Sequence, residues 1–94
     1  MARINLEQLK TFLTVVRMGS IRKAAVGLNL TQPAVTTRIK SLEESLSVKL
    51  FERSSSGLKL TKRGEMLIRY AEQYEHLSEL VDENIIAADG IKDH

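Results

Sequence analysis

Apolar residues recur at helical spacing over most of the chain, and short polar segments separate four such stretches. In the first stretch the apolar positions lie three or four residues apart, which places them on one face of a helix. They are Leu6, Leu9, Leu13 and Val16. Asn5 is suited to cap the start of this helix, with Gln8 reaching back to the cap, and Gly19 is suited to end it.

Two further helices are predicted directly after the first. Ser20 is placed to cap a short helix over residues 21–28, and Thr31 a longer one from residue 32 to about residue 45. Pro33 falls in the first turn of the longer helix, where a backbone N–H has no intrahelical partner to lose. Two helices joined by so tight a turn predict a helix-turn-helix.

Three residues support the packing of these two helices against each other. Ala25 is small where the helices must approach closely, and Asn29 stands at the turn, where a positive φ is needed. Val35 then supplies an apolar anchor on the second helix. We therefore place the helix-turn-helix at about residues 21–40.

The pattern changes to alternation after the third helix. Val48, Leu50, Leu58 and Leu60 alternate with charged residues on either side of a turn made of three serines and Gly57. This alternation predicts a two-stranded hairpin, a wing over about residues 48–60. A flexible serine loop is the alternative.

The last stretch predicts one long helix capped by Thr61. It runs from about residue 62 to about residue 88 and would be about 40 Å long at 1.5 Å per residue. Its apolar residues follow coiled-coil spacing, with polar Asn84 in one seam position. The predicted seam is Leu67, Tyr70, Tyr74, Leu77, Val81 and Ala88. So long a helix on so small a body needs a partner, and a second copy of the chain is the simplest one. We expect a homodimer.

These elements predict a mainly α chain in two parts. Residues 1–61 form a winged helix-turn-helix of three helices and a wing, and residues 62–94 form a linker and dimerisation helix with a tail. Zero cysteines exclude disulfides, thiolate catalysis and zinc-finger ligation. With only two histidines, we expect no metal site and no cofactor. No apolar block is long enough for a secretion signal or a membrane span, so we expect a cytoplasmic protein.

Charge is distributed unevenly along the chain although the total is only +2. Residues 1–64 carry twelve Lys and Arg against four Glu, a net charge of +8. Residues 65–94 carry two against eight, a net charge of −6. The chain thus has a basic head, residues 1–64, and an acidic tail, residues 65–94. This arrangement is typical of a polyanion-binding module attached to a segment with another function.

The third helix has a small, polar outward face. At 100° per residue, the face opposite its buried positions carries Pro33, Thr37 and Lys40, flanked by Ala34 and Thr36, Gln32 and Ser41. Such a face can enter a major groove without steric conflict. A glutamine there can read adenine, and threonines can donate, accept or touch a thymine methyl group.

The sequence also resembles the N-terminal DNA-binding domain and linker helix of LysR-type transcriptional regulators, over about residues 6–88. The matching segments are Ser20-Ile21-Arg22-Lys23-Ala24-Ala25, Thr31-Gln32-Pro33-Ala34-Val35-Thr36, Leu42-Glu43-Glu44-x-Leu46, Leu50-Phe51-Glu52-Arg53 and Leu60-Thr61-x-x-Gly64-Glu65. The resemblance implies a bacterial regulator that binds double-stranded DNA and dimerises through its linker helices. It also implies a C-terminal effector-binding domain, absent here, through which a small molecule acts and dimers form tetramers.

The resemblance assigns roles to individual positions. The base-reading residues fall on Gln32, Pro33, Ala34, Thr36 and Thr37. The candidate phosphate contacts in this basic surround are Ser20, Arg22, Lys23, Arg38, Lys40, Arg53, Lys59, Lys62 and Arg63. Helix starts favour anions, which supports the assignments at the start of the second helix.

Three departures from the family pattern bear on these roles. Position 37 is often arginine in relatives and is Thr37 here, with Arg38 beside it. The wing tip is Ser56 rather than a basic residue, so Arg53 or Lys59 is expected to meet phosphate. Ser47 replaces the glycine common after the third helix, which leaves open how sharply that helix ends.

Several residues have a purely structural alternative. Arg22 and Lys23 would then be solvated surface charges, and Arg38 would pair with Glu43 or Glu44. The tyrosines of the long helix suit dimer packing better than base stacking. His76, with no second histidine nearby, is expected to lie on the surface.

Two functions therefore compete, and an enzyme is not expected. The first is a dimeric, sequence-specific DNA-binding transcription regulator. The second is a protein-interaction module whose working part is the long helix. The basic head favours the first, and coupling between dimerisation and duplex binding would distinguish them. For an enzyme, the sequence offers no nucleophile constellation and no glycine-rich phosphate loop.

Overall fold

Four helices and a two-stranded sheet follow one another in the predicted order. The computed structural model describes residues 4–87. Its elements are α1 (Leu6–Met18), α2 (Ile21–Leu28), α3 (Gln32–Leu46), β1 (Phe51–Ser54), β2 (Gly57–Leu60) and α4 (Lys62–Val81), with a π-helical turn over Asp82–Ile86. The predicted class, a mainly α winged helix-turn-helix followed by a long helix, is confirmed.

All four predicted N-caps are present. The Asn5 side chain accepts from the N–H groups of Glu7 and Gln8 at 2.9 and 3.2 Å. The hydroxyls of Ser20, Thr31 and Thr61 each accept from the N–H three residues ahead, at 3.0 to 3.2 Å. The prediction that Gln8 reaches back to Asn5 is wrong. Its Oε1 is buried and has no hydrogen-bond partner within residues 4–87, so the capping at Asn5 is one-sided.

Three helices end in the left-handed conformation. Gly19 has a φ of 76° and Asn29 a φ of 57°, as their sequence positions predict. Ser47 also adopts a φ of 57°, and its N–H donates to the carbonyls of Glu43 and Glu44. The third helix therefore ends sharply even though Ser47 carries a Cβ, which is disfavoured in this region.

The core lies where α1 packs against α2 and α3. Its fully buried large apolar side chains are Phe12, Val15, Val35, Leu42 and Leu50. The rings of Phe12 and Phe51 lie 5.5 Å apart and tilted by 49°, an arrangement that joins the wing to α1. Val35, Ile39 and Leu42 are all buried, which confirms the predicted inward face of α3.

The wing is an antiparallel hairpin in which Phe51 pairs with Leu60 and Ser54 with Gly57. The flexible-loop alternative is therefore wrong. The hairpin begins three residues later than the predicted residue 48, because Leu50 belongs to the core. The Glu43 carboxylate Oε2 accepts the N–H of Leu50 at 2.7 Å, which holds this residue against the head before pairing begins.

The long helix differs from its prediction at its end. It is α-helical to Val81, after which the N–H of Ala87 donates to the carbonyl of Asp82, five residues back. The Asn84 side chain donates to the carbonyl of Leu80 at 2.8 Å, the acceptor that a regular α-helix would give to the N–H of residue 84. The predicted seam residue Ala88 lies outside the described residues. No helix within the described part of the chain is long and apolar enough to cross a membrane.

Candidate nucleic-acid interface

The predicted base-reading residues all lie on the first half of α3. Gln32, Pro33 and Thr37 are exposed, whereas Ala34 and Thr36 are half-buried. The Thr31 cap fixes the start of the helix by accepting the N–H of Ala34. The side chains on this face are short, so they would not obstruct the entry of α3 into a groove as wide as the major groove of DNA.

A groove of about 360 Å³ separates α3 from the wing. Its apolar lining includes Ile39, Phe51 and Leu58, and Thr36 faces it from α3. Three cations line it: Lys40 on α3, Arg53 on β1, and Lys49 on the segment between them. Lys49 has no role that the sequence alone assigns. Only the packing of the wing against α3 brings it to the same groove as Lys40 and Arg53.

Most of the predicted phosphate contacts are exposed around this face. Arg22 and Lys23 lie at the start of α2, and the remaining exposed cations lie on α3, the wing and the first turn of α4. These remaining cations are Lys40, Arg53, Lys59, Lys62 and Arg63. Ser20 is half-buried, and its hydroxyl already accepts the N–H of Lys23 at 3.0 Å. The basic half of the sequence thus presents exposed cations on α2, α3, the wing and the first turn of α4.

Arg38 is held by α1 rather than by its own helix. Its Nη1 donates to the Thr11 hydroxyl at 3.3 Å and lies 3.5 Å from Oε2 of Glu7. The predicted alternative pairing with Glu43 or Glu44 is therefore wrong. Arg38 finds its acceptors on α1, and the Glu43 carboxylate accepts the N–H groups of Leu50 and Phe51 instead.

Glu43 has a structural task that the sequence did not show. It is 9% exposed, and its Oε2 accepts the N–H groups of Leu50 at 2.7 Å and Phe51 at 3.3 Å. A buried carboxylate needs such donors, and these two fix the entry of the chain into β1. Glu43 thereby sets the position of the wing relative to α3.

The junction between the wing and α4 depends on Gly64. A Cβ built at this position would lie 2.3 Å from the carbonyl oxygen of Leu50 and 2.6 Å from Cδ2 of Leu60. The Leu50 carbonyl also accepts the N–H of Thr61 at 3.0 Å. Glycine is therefore required here for the close approach of α4 to the head.

The long helix presents two different faces. Ala71 is 1% exposed, and Leu67, Ile68 and Tyr74 pack around it against the core of the head. On the opposite side Met66, Tyr70, Leu77, Leu80 and Val81 are exposed. Of the predicted seam residues, Leu67 and Tyr74 are half-buried and pack against the core of their own chain, whereas Tyr70, Leu77 and Val81 are exposed.

One bidentate ion pair ties α4 to α1. Arg17 Nη1 and Nη2 lie 2.7 Å from Oε2 and Oε1 of Glu75, respectively. The hydrogen bond from Arg17 lowers the pKa of Glu75, with a further contribution from the charge of Lys10. The same bond raises the pKa of Arg17, which also faces the carboxylates of Glu72 and Glu79. The acidic half of the sequence thus meets the basic half along this helix pair.

His76 is exposed, as predicted. Within residues 4–87 no group of three His, Cys, Asp or Glu side chains is placed to hold a metal ion.

The comparisons with known proteins agree with this arrangement. Residues 6–65 match the family of bacterial regulatory helix-turn-helix proteins, lysR family. The chain is 46% identical over 76 residues to the HTH-type transcriptional regulator GltR of Bacillus subtilis, covering 81% of this chain and 26% of that protein. It is 52% identical over 65 residues to YofA of the same organism, covering 69% and 23%. The chain thus spans about a quarter of the length of these relatives.

Solved structures show the same fold. The crystal structure of the CbnR_DBD-DNA complex has a TM-score of 0.81 and 32% identity, covering 92% of this chain and 99% of that one. The BenM_DBD/catB site 1 DNA complex has a TM-score of 0.78 and 33% identity, covering 97% and 99%. Because the family match covers more than half of the residues and accounts for every element from α1 to the start of α4, this chain belongs to the LysR family of bacterial helix-turn-helix regulatory proteins.

Proposed function

We propose that this chain is the DNA-binding part of a LysR-type transcription regulator and that it binds duplex DNA as a homodimer, with α3 in the major groove. The observation that carries the proposal is the exposed start of α3, with its small and polar side chains, next to a groove lined by Lys40, Lys49 and Arg53. The two structural relatives that are DNA complexes support it. No catalytic activity is proposed, in keeping with relatives that are transcriptional regulators.

The residues divide into base-reading and phosphate-binding groups. Gln32 reads an adenine edge, and Thr36 and Thr37 contact neighbouring bases or a thymine methyl group, with Pro33 and Ala34 against the groove wall. The cations at the start of α2, on the wing and at the start of α4 bind phosphates on both sides of α3 and fix its register. Lys49 joins them through the groove it shares with Lys40 and Arg53.

The exposed face of α4 supplies the dimer interface. Met66, Tyr70, Leu77 and Leu80 follow one another at intervals of four, seven and three residues, which is the spacing of a coiled-coil seam. A seam of this kind buries side chains that a lone chain leaves 38 to 60% exposed. Two heads held in this way would meet two half-sites on one duplex.

The effector response and the assembly of dimers into tetramers belong, in this proposal, to the rest of a longer regulator. The relatives are about four times as long as the segment that matches this chain.

Selection of bound sequences from a random duplex pool tests the proposal directly, since it returns the half-site and its spacing together. Gln32→Ala or Thr36→Ala is then expected to weaken binding by about 1 to 3 kcal/mol and to relax preference at one base position. Lys62→Ala is expected to weaken binding to all duplexes alike, because it removes a phosphate contact. His76→Ala, exposed on α4 outside the proposed seam and away from α3, is the matched control and leaves the selected sequence unchanged.

Salt dependence provides an independent test. With several phosphate contacts per head, affinity is expected to fall by about 1000-fold between 50 and 200 mM salt. A selected sequence that is unchanged in both α3 variants, or a loss of less than about tenfold over this salt range, would contradict the proposed interface.

A further inference from the structure

We infer that the Arg17–Glu75 ion pair is a positioning device that fixes the angle between the DNA-binding head and α4, and thereby sets the spacing of DNA half-sites that the dimer accepts. The inference rests on the proposed function, because spacing has meaning only for a dimer that binds duplex DNA. Neither side chain lines the groove between α3 and the wing. Arg17 lies in the last turn of α1, and Glu75 lies 13 residues beyond the start of α4.

The first step is that α4 is rigidly fixed at its start. The Thr61 N–H donates to the Leu50 carbonyl at 3.0 Å, and the Thr61 hydroxyl donates to the Lys49 carbonyl at 2.6 Å. Gly64 lies so close to Leu50 that no side chain fits between them. This contact is a pivot: it fixes the origin of the helix, while its direction depends on contacts further along.

The direction of α4 depends on one polar contact in addition to apolar packing. Ala71 and the neighbouring Leu67, Ile68 and Tyr74 pack against the head through apolar contacts, which are non-directional. Glu75 lies eleven residues beyond Gly64, about 16 Å along the helix. There the planar guanidinium of Arg17 meets both carboxylate oxygens at 2.7 Å, a two-point contact that constrains orientation as well as distance.

A small rotation of α4 relative to the head produces a large displacement of the head in the dimer. The molecule is 57 Å long, and each head lies at one end of its α4 in a dimer paired through the exposed face. A tilt of about 10° over about 30 Å displaces the head by about 5 Å, which exceeds the 3.4 Å rise of one base pair. A helix held to within a few degrees therefore selects one spacing, whereas a loosely held helix accepts several.

The pair is suited to this role because it contributes little to folding. Both side chains are nearly half exposed, at 49 and 41%, and exposed ion pairs stabilise proteins only slightly. Its removal is therefore expected to change the geometry of the dimer while leaving the head intact.

The experiment measures affinity against a series of duplexes in which two selected half-sites are separated by different numbers of base pairs. The full chain is compared with Arg17→Glu, Glu75→Arg, the double variant that carries both changes, and Arg17→Lys. The wild type is expected to favour one spacing by at least about tenfold over spacings two base pairs away. Each reversed single variant is expected to reduce this ratio below about threefold.

Three comparisons separate a positioning role from a merely structural one. In the reversed single variants, affinity for a single half-site is expected to change by no more than about twofold. Their melting temperature is expected to change by no more than about 5 °C. The double variant restores the pair with its charges exchanged and is expected to recover the spacing preference. Arg17→Lys keeps the charge but loses the planar fork, so it is expected to give an intermediate preference.

A distance measurement without DNA reports directly on the angle between the head and α4. The chain has no cysteine, so spin labels placed by Ser55→Cys on the wing and Glu83→Cys beyond α4 report a single distance when diluted with unlabelled chain. Arg17→Glu is expected to broaden this distance distribution.

The outcomes separate the two proposals. A wild-type chain that binds no duplex overturns the proposed function and, with it, the inference. A wild-type chain that binds with a sharp spacing optimum, together with single variants that keep the same optimum and the same distance distribution, overturns the inference alone. A double variant that fails to restore the preference lost by the single variants also overturns it.

Discussion

Gly64→Ala is expected to destabilise the chain strongly, although alanine normally favours helices. The new Cβ would lie 2.3 Å from the carbonyl oxygen of Leu50. The carbonyl would have to retreat by roughly 0.7 Å to reach 3.0 Å, below which real Cβ contacts are essentially absent. It cannot retreat freely, because the Leu50 side chain is fully buried and the oxygen accepts the Thr61 N–H at 3.0 Å.

The magnitude follows from three contributions. Overpacking a well-packed site costs about 1 to 3 kcal/mol. Weakening a buried hydrogen bond costs about 1 to 3 kcal/mol more. Helix propensity returns at most about 1 kcal/mol. The expected net loss in the free energy of unfolding is about 3 kcal/mol, which lowers the melting temperature by more than about 10 °C for a domain of this size.

Urea denaturation followed by circular dichroism at a fixed protein concentration measures this loss. Gly27→Ala is the matched control. Its Cβ would meet only the flexible end of Met18, at 2.9 Å, so stability is expected to stay equal or to rise by up to about 1 kcal/mol. A Gly64→Ala chain as stable as the wild type would refute the reasoning, because it would show that α4 can shift away from the head at no cost.

Substitutions at three other positions test separate parts of the fold. Ser47→Gly is expected to stabilise the chain by about 1 kcal/mol in the same urea assay, since glycine adopts the left-handed conformation without a Cβ penalty; a loss of stability would contradict this. Glu43→Ala is expected to cost about 2 to 3 kcal/mol by leaving the buried N–H of Leu50 without an acceptor, and Glu43→Gln to recover more than half; equal losses would show that the hydrogen bond is not the cause. The lowered pKa of Glu75 means that its pair with Arg17 stabilises the fold above the ordinary glutamate pKa and that this contribution is lost as pH falls through the lowered value. The melting temperatures of Arg17→Gln and the wild type are therefore expected to converge as the pH falls below the ordinary glutamate pKa of 4.5, and a constant difference would speak against the pair as the cause.

Features determined by local chemistry were predicted correctly from the sequence. The four N-caps are predictable because a short polar side chain just before a helical stretch can accept from the N–H groups of the first turn. These residues are Asn5, Ser20, Thr31 and Thr61. The bounds of α2 followed from two such signals only nine residues apart, Ser20 and Asn29.

Features determined by packing between distant segments could not be predicted. The spacing of apolar residues on α4 fits both a seam and a face against the head, and only the packing of the folded chain shows that Leu67 and Tyr74 are half-buried against the head. Arg17 and Glu75 are 58 residues apart, and neither residue type signals a partner at that distance. Glu43 is a charged residue of a kind that is rarely buried, and its role appears only once the chain enters β1.

The π-helical turn at the end of α4 holds more residues than a regular turn, since the N–H of Ala87 donates to the carbonyl of Asp82, five residues back. The side chains within this turn are therefore rotated about the helix axis, relative to the positions that a regular α-helix would give them. Ile85 and Ile86 lie in this turn and are 65 and 64% exposed. A straight partner helix that follows the exposed apolar residues of α4 therefore loses its register where this offset begins.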